Sequence, residues 1–131
     1  MPKIVVILCI FVFGLFATQR HVDISPALIE SGIKVVDIRT PPEWSETGVV
    51  KGAILITFFD EQGRYDAQAF LQKLDRYVAK GEPFAIVCRT GSRTKVVADF
   101  LSKQGYEVTN LKGGMKLLLS QGYAPSKPVA P

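Results

Sequence analysis

The stretch FAIVCRTGSRTKVVADFL, residues 84–101, joins a short apolar run to a polar, glycine-containing loop and then to an amphipathic segment. The run Phe84–Val87 has the length and composition of a buried strand. The apolar residues that follow the loop have the spacing of one helical face: Val96, Val97, Phe100 and Leu101. These 18 residues therefore predict a strand, a loop and a helix, the repeating unit of an α/β protein.

The same alternation continues on both sides of this unit. Apolar runs predict strands at residues 35–38, 53–56 and 108–111, and capping residues with periodic apolar positions predict helices at 25–32, 66–81 and 115–122. Short apolar strands that alternate with helices predict an α/β fold with a central, mostly parallel sheet flanked by helices. In such folds ligands bind beyond the carboxyl ends of the strands, which is where Cys88 stands.

Length and composition narrow the function classes. The 131 residues are 47% hydrophobic and 21% charged, as expected for one globular domain. The net charge of +4 comes from dispersed basic residues, so it indicates a bias towards small anions and not the basic stripe of a nucleic-acid binder. We expect a monomer that needs neither a cofactor nor a metal.

The N-terminal segment differs from the rest. Lys3 precedes an unbroken apolar run over residues 4–17, after which polarity returns at Thr18. As a helix, this run would be about 21 Å long, short of a ~30 Å hydrocarbon core. We therefore predict a signal peptide at 1–19, cleaved near Thr18, a periplasmic domain at 20–124 and a disordered tail at 125–131. An uncleaved membrane anchor is the alternative.

Cys88 is the only cysteine that remains once the leader, with Cys9, is set aside. A lone cysteine in an exported protein is either a buried small residue or a reactive thiol. The helix N-terminus, the turn that Gly91 allows, and the charges of Arg89 and Arg93 would together favour the thiolate. These features favour a reactive thiol, although either arginine alone could face solvent.

Three motifs then agree with one family. The six-residue loop CRTGSR at 88–93 resembles the active-site loop of the rhodaneses, which begins with the nucleophilic cysteine. The stretch VDIRTPPEW at 36–44, with Gly48 and Gly52-Ala53 after it, resembles the family's other signature, and LKGGM at 111–115 resembles its late glycine pair. Val49 stands where the family has a histidine, and Leu118 lies where a tryptophan is frequent. We interpret both as packing positions.

The resemblance implies a rhodanese-like three-layer fold and a thiosulfate sulfurtransferase. Cys88 would carry sulfur from thiosulfate or a persulfide donor to cyanide, a thiol or a protein thiol. The loop would bind the donor with Arg89, Thr90, Gly91, Ser92 and Arg93. Asp37 and Arg39 would support the site, and we interpret them as a structural ion pair at a strand end.

Two other functions remain open. Tyrosine phosphatases and arsenate reductases wrap an oxyanion with an arginine six positions after the cysteine, but here that position is Thr94 and Arg93 comes one residue early. The sequence does not distinguish an enzyme from a persulfide carrier or a binding module without turnover. His21, the only histidine, is interpreted as an incidental residue that flanks the leader.

Overall fold

The computed structural model describes residues 18–129 and arranges them in five strands and five helices. The strands are β1 (Gln19–Asp23), β2 (Val35–Asp37), β3 (Ile54–Leu55), β4 (Phe84–Val87) and β5 (Val108–Lys112). The helices are α1 (Pro26–Glu30), α2 (Pro41–Thr47), α3 (Ala67–Leu74), α4 (Ser92–Lys103) and α5 (Gly114–Ser120). The sheet order is β1-β5-β4-β2-β3, and all its ladders are parallel, which confirms the predicted α/β class.

Helices cover both faces of the sheet, because successive strand residues point to opposite sides. On one face Val36, Ile86 and Val108 pack with residues of α3 and α4, and Cys88 belongs to this cluster. On the other face Val87 and Leu111 pack with residues of α1 and α5. Strand β4 is buried on both faces, so its apolar run is continuous, as expected for a central parallel strand.

The carboxyl ends of β2 and β4 lie side by side. Asp37 pairs with Val87 in the parallel ladder, and the Ile38 N–H donates to the Val87 carbonyl at 3.1 Å. Cys88, which follows β4, is therefore at the same edge of the sheet as Asp37 and Arg39. The topology brings together the two motifs that the sequence placed about 50 residues apart.

Strand β1 and helix α2 are the elements that the sequence did not predict. Strand β1 pairs in parallel with β5 and places His21 opposite Asn110. The interpretation of His21 as an incidental flanking residue is therefore wrong: it belongs to the sheet. Strand β1 is an exposed edge strand, so its residues lack the apolar alternation by which strands are recognised.

The C-terminal segment also differs from its prediction. Ser126 and Val49 exchange two backbone hydrogen bonds of 2.8 Å as an isolated antiparallel bridge, so the tail predicted to be disordered is held against the domain at this point. Val49 itself is 3% exposed and Leu118 is fully buried, which confirms both as packing positions.

Residues 1–17, which include most of the predicted signal peptide, lie outside the described residues, as do residues 130–131. Between residues 18 and 129 no helix has the length and apolar character needed to cross a membrane.

Candidate active site

The sulfur of Cys88 is held inside the loop between β4 and α4. The Gly91 N–H donates to Sγ at 3.1 Å, and the Thr94 hydroxyl lies 3.4 Å from the same sulfur. Thr94 also donates to the Gly91 carbonyl at 3.2 Å, which fixes the position of its hydroxyl. The Gly91 N–H points its positive end towards the sulfur and would stabilise negative charge there. The Thr94 hydroxyl has a single hydrogen, so it would do the same only when that hydrogen turns from the Gly91 carbonyl towards Sγ.

Two glycines make this geometry possible. Gly91, the N-cap of α4, has φ of +98°, a conformation that residues with a Cβ rarely adopt. Gly114, at the start of α5, lies so close to the loop that a Cβ there would be 2.5 Å from the Arg89 carbonyl oxygen and 2.6 Å from that of Cys88. The Met115 N–H donates to the Cys88 carbonyl at 2.9 Å. The Gly113-Gly114 pair therefore lets the start of α5 pack closely against the Cys88 loop.

The Arg93 side chain is paired with Glu43 of α2. Its two terminal nitrogens donate to the two carboxylate oxygens of Glu43, each at 2.7 Å. The hydrogen bonds from Arg93 lower the pKa of the Glu43 carboxyl to about 2, against partial burial, which raises it, and the charge of Arg93 lowers the pKa further. The same carboxylate raises the pKa of Arg93. Arg93 thus contributes a guanidinium whose charge is compensated, in a fixed position.

A second ion pair is completely buried behind the site. Asp37 and Arg39 have no exposed side-chain surface, and Arg39 donates to both oxygens of Asp37 at 2.8–3.1 Å. The remaining guanidinium hydrogens reach Thr47 Oγ1 at 2.8 Å and the Gly48 carbonyl at 3.0 Å. A buried charge pair that is fully hydrogen-bonded fixes geometry more than it adds stability. This arrangement agrees with the structural role expected for the pair.

The other predicted loop residues lie on the outside. Arg89, Thr90 and Ser92 are exposed, and the hydroxyls of Thr90 and Ser92 are 3.4 Å apart. Among residues 18–129, the Arg89 side chain has neither a hydrogen bond nor an ion pair, so its charge is free to meet a ligand. The two arginines predicted to act together therefore differ: Arg93 is paired with Glu43, whereas Arg89 is exposed.

Sequence reasoning missed two residues of the site. Thr94 was counted only for its position, yet it is fully buried and touches the sulfur. Glu43 was seen only as part of the VDIRTPPEW stretch at 36–44, yet it pairs with Arg93, 50 residues away. The threonine in the first turn of α4 was a usable signal for a hydroxyl near Cys88. No local signal joined Glu43 to Arg93.

Metal ligands do not gather in the part of the chain that the structure covers: no three His, Cys, Asp or Glu side chains are placed to share an ion. The candidate site consists of a thiol, two hydrogen-bonding groups beside its sulfur and two ion pairs.

Comparison with solved structures identifies the fold. A rhodanese-related protein from Thermoplasma volcanium is 22% identical and superposes with a TM-score of 0.59. The alignment covers 78% of this chain and 94% of that protein. A rhodanese-like domain protein from Staphylococcus aureus is 23% identical over 74% of this chain and 88% of its own, with a TM-score of 0.55. A Rhodopseudomonas palustris protein described as a "possible tyrosine phosphatase" is 24% identical over 79% and 77% of the two chains, with a TM-score of 0.53.

These identities establish the fold alone. A search of curated proteins finds no match. The sequence itself, however, matches the Rhodanese-like domain over residues 24–121, from the residue after β1 to the residue after α5. The matched range contains Cys88, its loop and both ion pairs. The chain therefore belongs to the rhodanese-like domain family.

Proposed function

We propose that this protein is a thiosulfate sulfurtransferase in which Cys88 carries the transferred sulfur as a persulfide. The observation that carries the proposal is the position of Sγ, 3.1 Å from the Gly91 N–H in the turn that begins α4. This is a site where a sulfur anion is stabilised by a backbone donor, a hydroxyl and the end of a helix.

The reaction would have two halves. In the first, the Cys88 thiolate attacks the outer sulfur of thiosulfate, the S–S bond of the donor breaks, and sulfite leaves with the bonding electron pair. In the second, cyanide or a thiolate attacks the outer sulfur of the persulfide and Cys88 leaves as the thiolate. No external oxidant or reductant is needed, because the sulfur moves at the same oxidation level.

The residues around Cys88 would have different roles in this reaction. Gly91 and Thr94 stabilise the charge on Sγ, and exposed Arg89 is the cation available to a thiosulfate or sulfite anion. Glu43 keeps the guanidinium of Arg93 in one orientation. Since Cys88 is 0% exposed, the donor reaches the sulfur only after a local movement of the loop.

Intact mass spectrometry tests the proposal directly. Treatment with thiosulfate should add one sulfur, about 32 Da, and cyanide should remove it. Cys88→Ser should abolish the gain, whereas Cys9→Ser, made in the uncleaved chain, is the matched control and should keep it. A gain of mass that survives Cys88→Ser would disprove the assignment of the sulfur to Cys88.

Turnover distinguishes an enzyme from a carrier. Production of thiocyanate over many cycles would support catalysis, and a single stoichiometric transfer would support the passive persulfide carrier. The phosphatase alternative draws support only from the Rhodopseudomonas palustris protein described as a possible tyrosine phosphatase, which is 24% identical. It would gain ground if the protein hydrolysed an aryl phosphate efficiently.

We also propose that the protein is exported to the periplasm. The support is the apolar run over residues 4–17 and the start of the sheet at Gln19, so cleavage near Thr18 would leave β1 intact. An uncleaved N-terminal anchor is the competing outcome.

A further inference from the structure

The C-terminal segment, residues 123–129, packs along the turn that joins α2 to β3. Its Ser126 exchanges two backbone hydrogen bonds of 2.8 Å with Val49, and the Tyr123 hydroxyl accepts from the Lys51 N–H at 3.0 Å. The match to the rhodanese-like domain ends at residue 121. These contacts therefore come from a part of the chain that lies outside the matched domain, and the reaction proposed for Cys88 does not use them.

Gly48 brings the C-terminal segment into contact with the end of α2. Gly48 is the residue at which α2 ends, and its φ of +75° is one that residues with a Cβ rarely adopt. A Cβ at this position would lie 2.9 Å from Cβ of Pro125 and 2.9 Å from the carbonyl oxygen of Ser126. The close approach of the two segments therefore depends on a glycine at position 48.

Helix α2 has no buried face that could hold it in place, because none of its seven residues is fully buried. Polar contacts hold it instead. Arg39, just after β2, donates to the Gly48 carbonyl at 3.0 Å and to Thr47 Oγ1 at 2.8 Å, and Glu43 pairs with Arg93 at 2.7 Å. A helix this short is not stable by itself, so its position depends on these contacts and on the bridge that follows it at residue 49.

We propose that the C-terminal segment is a strap that positions α2, and through Glu43 the guanidinium of Arg93, for sulfur transfer. The inference rests on the sulfurtransferase function proposed above. Ser126 holds Val49, next to the Gly48 at which α2 ends. In the first turn of the same helix, Glu43 holds Arg93 of the Cys88 loop. Ser126 is therefore a positioning residue, which acts through its backbone and does not touch the reacting sulfur.

Two substitutions at position 126 separate the backbone contact from the side chain. Ser126→Pro removes the N–H that donates to the carbonyl of Val49, a residue that is 3% exposed, whereas Ser126→Ala keeps that N–H and is the matched control. In the full chain, hydrogen exchange of the α2 amides should be about ten-fold faster in Ser126→Pro than in Ser126→Ala, and exchange of the β4 amides should be the same in both. Equal exchange of α2 in the two variants would overturn the strap.

Kinetics test whether the strap acts on the donor step. The pairing with Glu43 does not use all the N–H groups of the Arg93 guanidinium, so others can meet the oxygens of thiosulfate. Cyanide has no oxygen for a guanidinium to bind. Ser126→Pro should therefore lower kcat/KM for thiosulfate about five-fold, part of the effect of losing one charge-assisted hydrogen bond, and leave kcat/KM for cyanide unchanged. Ser126→Ala should behave like the unmodified protein in both measurements.

A double-mutant cycle separates positioning from a general loss of stability. If the strap acts through Glu43, Ser126→Pro should have a much smaller effect on thiosulfate kinetics in a Glu43→Gln background. An undiminished effect there, or an equal fall in kcat/KM for thiosulfate and cyanide, would refute the positioning role while the sulfurtransferase function stands. If the unmodified protein transfers no sulfur but the exchange of α2 differs as expected, the hold of the C-terminal segment on α2 stands and the proposed function is refuted.

Discussion

Replacing Glu43 by Gln would remove the negative partner of Arg93 while keeping the size and much of the hydrogen-bonding capacity of the side chain. In the unmodified protein the pair has two contacts of 2.7 Å, and the pKa of Glu43 falls from 4.5 to about 2. A lowering of that size corresponds to about 3 kcal/mol of native-state stabilisation as an upper value. Because the side chains of Arg93 and Glu43 are 28% and 21% exposed, screening by water reduces the expected contribution to about 1–2 kcal/mol.

The pH dependence carries the sign of this effect. The pKa of Glu43 is depressed in the folded state, so its stabilisation is fully present above the unfolded pKa near 4.5 and is lost as pH falls towards about 2. At neutral pH, Glu43→Gln should therefore lower the free energy of unfolding by about 1–2 kcal/mol, or Tm by roughly 5–10 °C. The difference between the two proteins should shrink by about half or more by roughly pH 3.

Denaturant unfolding followed by circular dichroism, from neutral to acid pH, measures this difference. Glu82→Gln is the matched control, because Glu82 pairs with Lys34 at 2.6 Å but is 39% exposed and distant in the fold from Cys88. That control should change stability much less at every pH. Equal stability of Glu43→Gln and the unmodified protein at neutral pH, or a difference that persists undiminished in acid, would refute the reasoning.

Other changes probe the loop and the leader. Gly114→Ala should destabilise the fold by about 1–3 kcal/mol, since its Cβ would lie 2.5 Å from the Arg89 carbonyl oxygen; an unchanged Tm would show that the loop yields freely. Arg89→Ala combined with Arg93→Ala should lower kcat/KM for thiosulfate at least about ten-fold, more than either change alone, and unaltered kinetics would remove both from donor binding. Insertion of a glycine after Gly91 lengthens the loop 88–93 by one residue. It should improve phosphate affinity and slow sulfur transfer, as measured with an aryl phosphate and with thiosulfate. N-terminal sequencing from an exporting host should find a chain that starts near residue 18, whereas soluble cytosolic material would end the export hypothesis.

Most elements of the fold could be predicted from the sequence because their signals are local. Strand β4 is an apolar run, and α4 follows it with apolar residues at helical spacing. The Asp66 side chain caps α3 by accepting from the Ala69 N–H at 3.0 Å, as its position before the periodic residues indicated. The edge strand β1 could not be found in this way, because an exposed edge has no apolar alternation.

The candidate site likewise has features that local sequence indicates and features that it does not. By itself the sequence determined that Cys88 ends a buried strand and begins a glycine turn, since a strand, its loop and the next helix are consecutive in the chain. Only the tertiary structure decided that Arg93 is paired with Glu43, 50 residues away, and that Asn110 meets His21 across 89 residues. The physical reason is that partners so distant along the chain meet only when parallel strands bring their carboxyl ends to one edge of the sheet, and no local pattern encodes that meeting.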